Sequence, residues 1–263
     1  MFVFFVAAFV ATPSRRPPPT RLGGVREIAR YDSVKNSSSF VFPAAWPYTA
    51  ADFQRTDDRD DSFFFTNARL VTHIDDKAMN ALTAYYRKML SPGDDILDVC
   101  SSWVSHLPKD VELGRKYAVG MNAEELAANK QLTSWVVRDL NKHAELPFND
   151  DTFDAVLNVV GVDYLTNPRD VFKEMYRVLR PGGVAIMAFS HHYWPTKVIR
   201  RWIDADMTGR VTIVANYFYF SAPWRQIVAL DVAPRRITFS SDPRTWIKAL
   251  APHDPIFVVQ AVK

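Results

Sequence analysis

The chain has 263 residues, 48% of them hydrophobic and 13% aromatic, and a formal net charge of +3. This composition supplies a sizeable core and excludes a generally disordered chain. The small net charge excludes a strongly basic surface, and we predict no nucleic-acid partner. Cys100 is the only cysteine, which excludes an internal disulfide and a cysteine-rich zinc site and is typical of a reducing compartment.

The first 40 residues differ from the rest of the chain. They begin with the apolar run MFVFFVAAFVA, which is too short to span a bilayer as a helix, so we predict no transmembrane helix. The residues that follow are rich in Arg, Ser and Pro and poor in acids, a composition associated with organelle transit peptides. We predict a targeting or disordered segment over residues 1–40, directed to a plastid rather than a mitochondrion. A disordered tail with an apolar start is the alternative.

A regular pattern begins near residue 62. Ala78, Leu82, Tyr85 and Met89 recur at spacings of three and four, which predicts a helix that a Pro-Gly pair ends. We expect residues 62–92 to form lid helices at the start of a domain that spans residues 41–263. DILDV then predicts a first buried strand, KYAVGMN a second and SWVVRDLN a third, with AEELAANK as a helix after the second.

The clearest helix follows the fourth strand, FDAVLNVVGVDYL. Asn167 can cap it and Pro168 occupies its first position. VAIMAFS predicts the fifth strand, PTKVIRRWIDADM a helix, RVTIVANYFYF a strand, and IFVVQAV a last strand after a poorly periodic stretch at residues 221–252. Strands alternating with helices predict an α/β fold with a mostly parallel sheet, helices on both faces, and ligands outside the carboxyl ends of the strands.

Small polar residues follow the first strand where glycines usually stand in such folds. These are Asp98, Cys100, Ser101 and Ser102. Serine is small enough to let a ligand approach the backbone, and a positive φ here costs on the order of 1 kcal/mol. The alternative for Cys100 is a small buried apolar residue.

The loops after the second and third strands offer further acceptors. Asn122 stands where nucleotide-binding folds place an acid against ribose hydroxyls, and capping the next helix is its alternative. Asp139 can accept an adenine amino hydrogen, or it can lie in a solvated turn.

A dehydrogenase is the other nucleotide-binding class to consider. The G-x-G-x-x-G fingerprint is missing from the first turn. Tyr193 and Lys197 have the spacing of a short-chain dehydrogenase pair, but Pro195 between them interrupts the helix that the pair requires. We reject this interpretation.

The stretch LPFNDDTFDAVLNVVGVDYLTNPRDVFKEMYRVLRPGG closely resembles the central part of class I S-adenosylmethionine (SAM) methyltransferases of the small-molecule, quinone-methyltransferase-like group, type 11. The loop CSSWVSHLP, with RLVTHIDD, VGMN, RDLN, PTK and DPIFVVQAVK, resembles a plant and algal branch, with bacterial members, that has this loop in place of the glycines. The resemblance covers residues 62–263. It implies a Rossmann-like sheet of seven mostly parallel strands with an antiparallel last strand.

The resemblance also implies a cofactor, SAM, with S-adenosylhomocysteine as product, and a small-molecule substrate. The missing glycines and the missing acid at position 122 depart from the family pattern. The residues that the resemblance places around the cofactor are His73, Asp98, Cys100, Ser101, Ser102, Met121, Asn122, Asp139, Leu140 and Asn158.

Methyl transfer from a sulfonium chiefly requires alignment and exclusion of water, with a general base only where the acceptor must lose a proton. Candidates for that base are Asp163 and Tyr164 after the fourth strand and His191 and His192 after the fifth. Capping, packing or surface roles are their alternatives. Two adjacent histidines do not make a metal site without convergent ligands, and we predict no metal.

Two functions follow from the sequence. The first is a SAM-dependent methyltransferase acting on an unidentified small molecule, whose apolar character the aromatic stretch ANYFYFSAPW suggests. The alternative is an inactive methyltransferase-like domain serving as a structural or assembly subunit of a larger complex. An apolar-lined crevice over Ser101 favours the enzyme, and a crevice filled by the protein's own side chains favours the subunit.

Overall fold

A computed structural model describes residues 24–233 and 253–263 of the chain. The apolar run at residues 1–11, and residues 234–252 of the stretch predicted to be poorly periodic, lie outside these ranges. The described residues contain nine strands: β1 (Arg26–Asp32), β2 (Ser37–Ser38), β3 (Ile96–Ser101), β4 (Lys116–Gly120), β5 (Ser134–Val137), β6 (Phe153–Val159), β7 (Leu179–Phe189), β8 (Gln226–Asp231) and β9 (Phe257–Val262).

In the part of the chain that the structure describes, six α-helices and two short 3₁₀ helices connect the strands. No helix among the described residues is long and apolar enough to cross a membrane. The α-helices are α1 (Asp61–Phe64), α2 (Asp76–Met89), α3 (Ala123–Ala128), α4 (Pro168–Val178), α5 (Arg200–Ile203) and α6 (Met207–Ser221), and the 3₁₀ helices are Ala50–Phe53 and Val162–Tyr164.

All nine strands form one sheet in the order β2-β1-β8-β9-β7-β6-β3-β4-β5. Strands β3 to β7 run parallel, and β9 is antiparallel to both β7 and β8. The predicted fold class is confirmed: a mostly parallel sheet with helices and an antiparallel last strand. Among the described residues the sheet has nine strands and not seven, because β1 and β2 extend its edge beyond β8.

The additional strands come from within the first 40 residues, which the sequence analysis assigned to a targeting or disordered segment. Strand β1 pairs antiparallel with β8, and the Asp32 carboxylate fixes the turn that follows by accepting the Val34 and Lys35 backbone N–H groups, both at 3.0 Å. Residues 26–32 and 37–38 are therefore part of the sheet. A targeting role for the segment stays a prediction.

Helix α6 occupies the segment that was predicted as a strand, so that prediction is wrong. The Asp206 carboxylate begins the helix by accepting the Gly209 N–H at 2.7 Å. The helix packs against α4, where the Phe172 and Phe218 ring centroids lie 4.7 Å apart. A helix buried on most of its surface has no polar face, so its sequence carries no clear helical period. Strand β8 lies in the stretch predicted to be poorly periodic.

The two faces of the sheet carry separate cores. Val171, Phe172 and Met175 of α4 pack with α6 in one of them. Tyr85 and Tyr86 of α2 belong to the other. With both faces covered, the free space lies at the carboxyl ends of the parallel strands, where the sequence placed the ligand.

Candidate active site

A cleft of about 570 Å³ lies at the carboxyl ends of β3, β4 and β6, bordered by the segment between α1 and α2. It brings together residues that lie up to 67 positions apart in the sequence, from His73 to Leu140, and that the sequence analysis assigned to one cofactor site. Eight of the ten cofactor residues predicted from the resemblance line it: His73, Asp98, Cys100, Ser101, Ser102, Met121, Asp139 and Leu140.

The loop after β3 makes its turn at a non-glycine residue. Cys100 has a φ of 53°, in the left-handed region, at a cost of roughly 1–2 kcal/mol for a residue with a Cβ atom. The chain therefore adopts the positive φ for which related folds use glycine. Burial raises the pKa of the Cys100 thiol to about 12, so the thiol is neutral at physiological pH and not a nucleophile.

Asp98 stands at the floor of the cleft. Its Oδ2 accepts hydrogen bonds from the Ser101 hydroxyl at 2.7 Å and the Ser105 hydroxyl at 2.6 Å. Burial raises the pKa of its carboxyl to about 6, although the hydrogen bonds from the two serines lower it. At pH 7 and above, the cleft therefore carries a largely buried negative charge.

Gly161, which the sequence analysis did not single out, accommodates this glycine-free loop. A Cβ atom at Gly161 would lie 2.8 Å from the Cys100 Cβ and 2.9 Å from the Asn158 Nδ2. Its neighbour Val160 has a φ of 47°, which is strained for a β-branched residue. The loops after β3 and β6 are thus in close contact. The contact requires a glycine in the loop after β6, at Gly161, and not in the loop after β3.

The two asparagines predicted to bind the cofactor do not line the cleft. Asn122 caps α3, with its Oδ1 accepting the Glu124 and Glu125 N–H groups at 2.9 and 3.0 Å, and its Nδ2 donates to the Phe65 carbonyl at 2.8 Å. Asn158 is buried, and its Nδ2 donates to the Val99 carbonyl at 2.8 Å. Both side chains therefore donate hydrogen bonds to backbone carbonyls of the protein itself.

A carboxylate does lie near the end of β4, but it belongs to Glu125. This side chain lines the cleft, accepts the Ser102 hydroxyl at 2.6 Å, and accepts the Arg69 backbone N–H at 2.7 Å. The acid absent from position 122 is thus present one helical turn later. The only sequence signal was the pair of glutamates in the first turn of α3.

The segment at residues 54–75, which we call the N-terminal strap, is held to the sheet by buried charges. The Asp61 carboxylate accepts hydrogen bonds from Arg55 at 2.8 and 2.9 Å and from the Asn141 Nδ2 at 3.0 Å. The Lys197 Nζ lies 3.0 Å from it and donates to the Asp57 and Arg59 carbonyls. These contacts fix one wall of the cleft.

The candidate bases are separated by the structure. Tyr164 lines the cleft, but burial raises the pKa of its hydroxyl well above the usual value, so it is a neutral phenol. His192 lines the cleft mouth, whereas His191 and Asp163 do not line the cleft. Asp163 is 2% exposed, and neither carboxylate oxygen accepts a hydrogen bond from any other residue in the described ranges.

The burial of Asp163 predicts a pH effect on stability. Burial raises the pKa of its carboxyl from 3.8 to about 7, so the folded state binds a proton that the unfolded state has lost. This contribution to stability is complete below about pH 4 and disappears as the pH rises to about 7. Asp163→Asn is therefore expected to raise the free energy of unfolding at pH 8 relative to wild type, by on the order of 1–3 kcal/mol.

Urea unfolding of both proteins at pH 5 and pH 8 measures this difference. The difference in free energy of unfolding between Asp163→Asn and wild type is expected to be larger at pH 8 than at pH 5. Asp110→Asn is the control, because Arg87 lowers the pKa of that exposed carboxyl and its replacement brings no gain at high pH. An equal effect of Asp163→Asn at the two pH values would contradict the prediction.

Comparison with known proteins agrees with the geometry. Residues 102–187 match a family model described as a methyltransferase domain. A demethylmenaquinone methyltransferase of Streptomyces avermitilis is 37% identical over 79 residues, which is 30% of this chain and 32% of the relative. One from Bacillus mycoides is 35% identical over 106 residues, which is 37% of this chain and 45% of the relative. The chain thus spans less than half the length of these relatives.

The solved structures that are similar to this chain are more distant in sequence. A chain from the Haloferax volcanii complex between the Trm112 methyltransferase activator and a methyltransferase has a TM-score of 0.49 and 15% identity, over 71% of this chain and 90% of that one. A SAM-dependent methyltransferase of Mesorhizobium loti has a TM-score of 0.45 and 13% identity, over 70% of this chain and 100% of that one. Over residues 102–187 this chain is therefore similar to a methyltransferase domain, and the two relatives described above are demethylmenaquinone methyltransferases that it matches over part of their length.

Proposed function

We propose that this protein is a SAM-dependent methyltransferase acting on a small, apolar molecule. One observation carries the proposal: the cleft lies where the family binds its cofactor, and eight of the ten residues assigned to that cofactor line it. The glycine-free loop of the plant and algal branch belongs to the proposal, as does a plastid location, which rests on the composition of residues 1–40.

The residues in the cleft suit the chemistry of SAM. Asp98 and Glu125 offer carboxylates to the cationic and hydroxylated parts of the cofactor, while Leu140 and Val159 offer apolar faces to the adenine ring. The positive φ of Cys100 keeps the close backbone turn on which the glycine loop of related folds depends. SAM supplies an electrophilic methyl group on a sulfonium.

The protein's own part is alignment and exclusion of water. The N-terminal strap borders the cleft, and aromatic side chains of Phe65, Trp103, Tyr193 and Trp194 line it, an environment that fits an apolar acceptor. Burial lowers the pKa of His73 in the cleft wall. This imidazole is therefore neutral at pH 7 and able to accept a proton from an acceptor that must lose one.

The alternative, an inactive subunit of a larger complex, would be favoured by a crevice filled with the protein's own side chains. The cleft over Ser101 is open, with a volume of about 570 Å³. This observation supports the enzyme and gives the alternative no support.

Calorimetric titration of the full chain with S-adenosylhomocysteine tests the cofactor site. The full chain is required, because removing residues 1–40 would delete β1 from the sheet. We expect a dissociation constant on the order of micromolar, weakened about tenfold or more by Asp98→Asn, because the buried carboxylate is lost. Asp110→Asn, a substitution on the exposed surface, is expected to bind like wild type.

Two outcomes would contradict the proposal. Absence of both binding heat and a thermal shift at millimolar ligand would exclude a working cofactor site, because a ligand far above its dissociation constant must stabilise the folded protein. Equal affinity in Asp98→Asn and wild type would place the ligand elsewhere.

A further inference from the structure

Three side chains with metal-binding atoms converge at the mouth of the cleft. His191 and His192 follow β7, and Asp254 precedes β9. Their ligand atoms all lie within 4.8 Å of one another. The Asp254 Oδ1 is 2.9 Å from the His192 Nε2 and 3.7 Å from the His191 Nε2. The two imidazole ring centroids are 4.0 Å apart.

The Asp254 carboxylate is held in place by hydrogen bonds with Asp75, on the side away from the histidines. The Asp254 Oδ2 accepts the Asp75 backbone N–H at 2.8 Å, and the Asp75 Oδ2 accepts the Asp254 N–H at the same distance. This reciprocal pair fixes the loop before β9 against the start of α2. It also leaves the Asp254 Oδ1 facing both histidines.

One of the two histidines, His191, is oriented in a similar way. The His191 Nδ1 lies 3.5 Å from the Ser190 hydroxyl, while its Nε2 faces Asp254. Metal-binding residues in proteins characteristically have such outer hydrogen bonds on the atom that does not bind the ion. Both imidazoles are about half exposed, so an ion can reach them from solvent.

We propose that His191, His192 and Asp254 form a binding site for a divalent transition metal of the Zn²⁺ class. Two imidazoles and one carboxylate are a ligand set that Zn²⁺, Fe²⁺ and Co²⁺ bind with coordination positions left open. A small closure of the cluster brings all three donors to about 2 Å from one ion. The sequence predicted no metal because two adjacent histidines lacked a third ligand, and the third ligand lies 62 residues away.

The position of the site suggests what the ion does. His192 and Asp254 line the cleft, so an ion held by them would lie beside the space that an acceptor would occupy. An oxygen of a phenol or enol group can bind there and lose its proton to solvent more readily, because the ion stabilises the oxyanion. This second step rests on the proposed methyltransferase function, whereas the metal site itself does not.

Titration of the untagged full chain with Co²⁺, followed by visible absorption, tests the site directly. A histidine tag must be absent, because it would bind the probe. We expect one ion per chain with a dissociation constant on the order of micromolar, displaced by Zn²⁺, with affinity reduced about tenfold or more in His192→Ala and Asp254→Asn. His143→Ala removes an exposed histidine outside the cluster and is expected to bind like wild type.

Thermal unfolding without metal establishes that each variant is folded. An ordinary hydrogen bond between His192 and Asp254 is the competing explanation, and it predicts no stoichiometric binding. Absence of one-to-one binding at 100 micromolar Co²⁺, roughly a hundred times the expected constant, would overturn the proposal. So would unchanged affinity in both cluster variants. Titration with S-adenosylhomocysteine is independent of this result, so failure of the metal site and failure of the cofactor site can be told apart.

Discussion

Replacing Asp61 by alanine is expected to lower the free energy of unfolding by about 3–5 kcal/mol. The Asp61 side chain is 6% exposed and the Lys197 side chain 2% exposed. Burial alone would raise the pKa of the Asp61 carboxyl, but hydrogen bonds from Arg55, Asn141 and Lys197 outweigh it and lower the pKa. Removing the carboxylate leaves two buried cations without this counter-charge, which is why the loss is large.

Asp58→Ala is the matched control for this prediction. Asp58 also pairs with Arg55, at 3.5 Å, but its side chain is 66% exposed. Exposed pairs contribute about 0–1 kcal/mol, so this variant is expected to remain close to wild type in urea unfolding. Similar losses in the two variants would show that the buried charges do not hold the N-terminal strap.

Replacing Gly161 by alanine is expected to destabilise the protein by about 1–3 kcal/mol and to weaken binding of S-adenosylhomocysteine. Gly161 has a φ of −138°, outside the left-handed region that favours glycine, so left-handed strain is not the reason. The new Cβ would lie 2.8 Å from the Cys100 Cβ. Relief of this clash must move the loop after β3, which forms the floor of the cleft.

A second substitution tests that explanation. Cys100→Gly removes the opposing Cβ and relieves the left-handed strain, so it is expected to rescue part of the loss in Gly161→Ala. Cys100→Ala keeps the Cβ and is expected to give no rescue. Urea unfolding of the two double variants measures the coupling, which contacting residues show and distant ones do not. Additive changes in the free energy of unfolding in both double variants would refute a direct clash between residues 161 and 100.

The fold was predictable where a pattern depends on local sequence. Helix α4 was recognised from Asn167, Pro168 and its apolar spacing, and the structure has it at Pro168–Val178, although the Asn167 side chain makes no capping hydrogen bond. Helix α6 was misread because most of its surface is buried. Strand β1 was missed because REIARYD is short and charged, and its place in the sheet depends on β8.

The candidate site divides in the same way. Residues at the ends of strands, such as Asp98 and Asp139, could be assigned because parallel strands end at one edge of the sheet. Glu125 and Gly161 could not, because their roles depend on the Ser102 hydroxyl and the Cys100 Cβ, which only the folded chain places beside them. Asp254 meets the two histidines only through tertiary structure.

The antiparallel pairing of β1 with β8 also constrains how the protein is made. Asp32 of β1 and Gln226 of β8 are hydrogen-bonded but lie 194 residues apart. Ribosomes add about 5–20 residues per second, so β1 leaves the ribosome roughly 10–40 s before its partner exists. Throughout that interval β1, the first strand of the described residues, has an unpaired edge that is accessible to chaperones and to competing strands, and β1 is among the last strands to join the sheet.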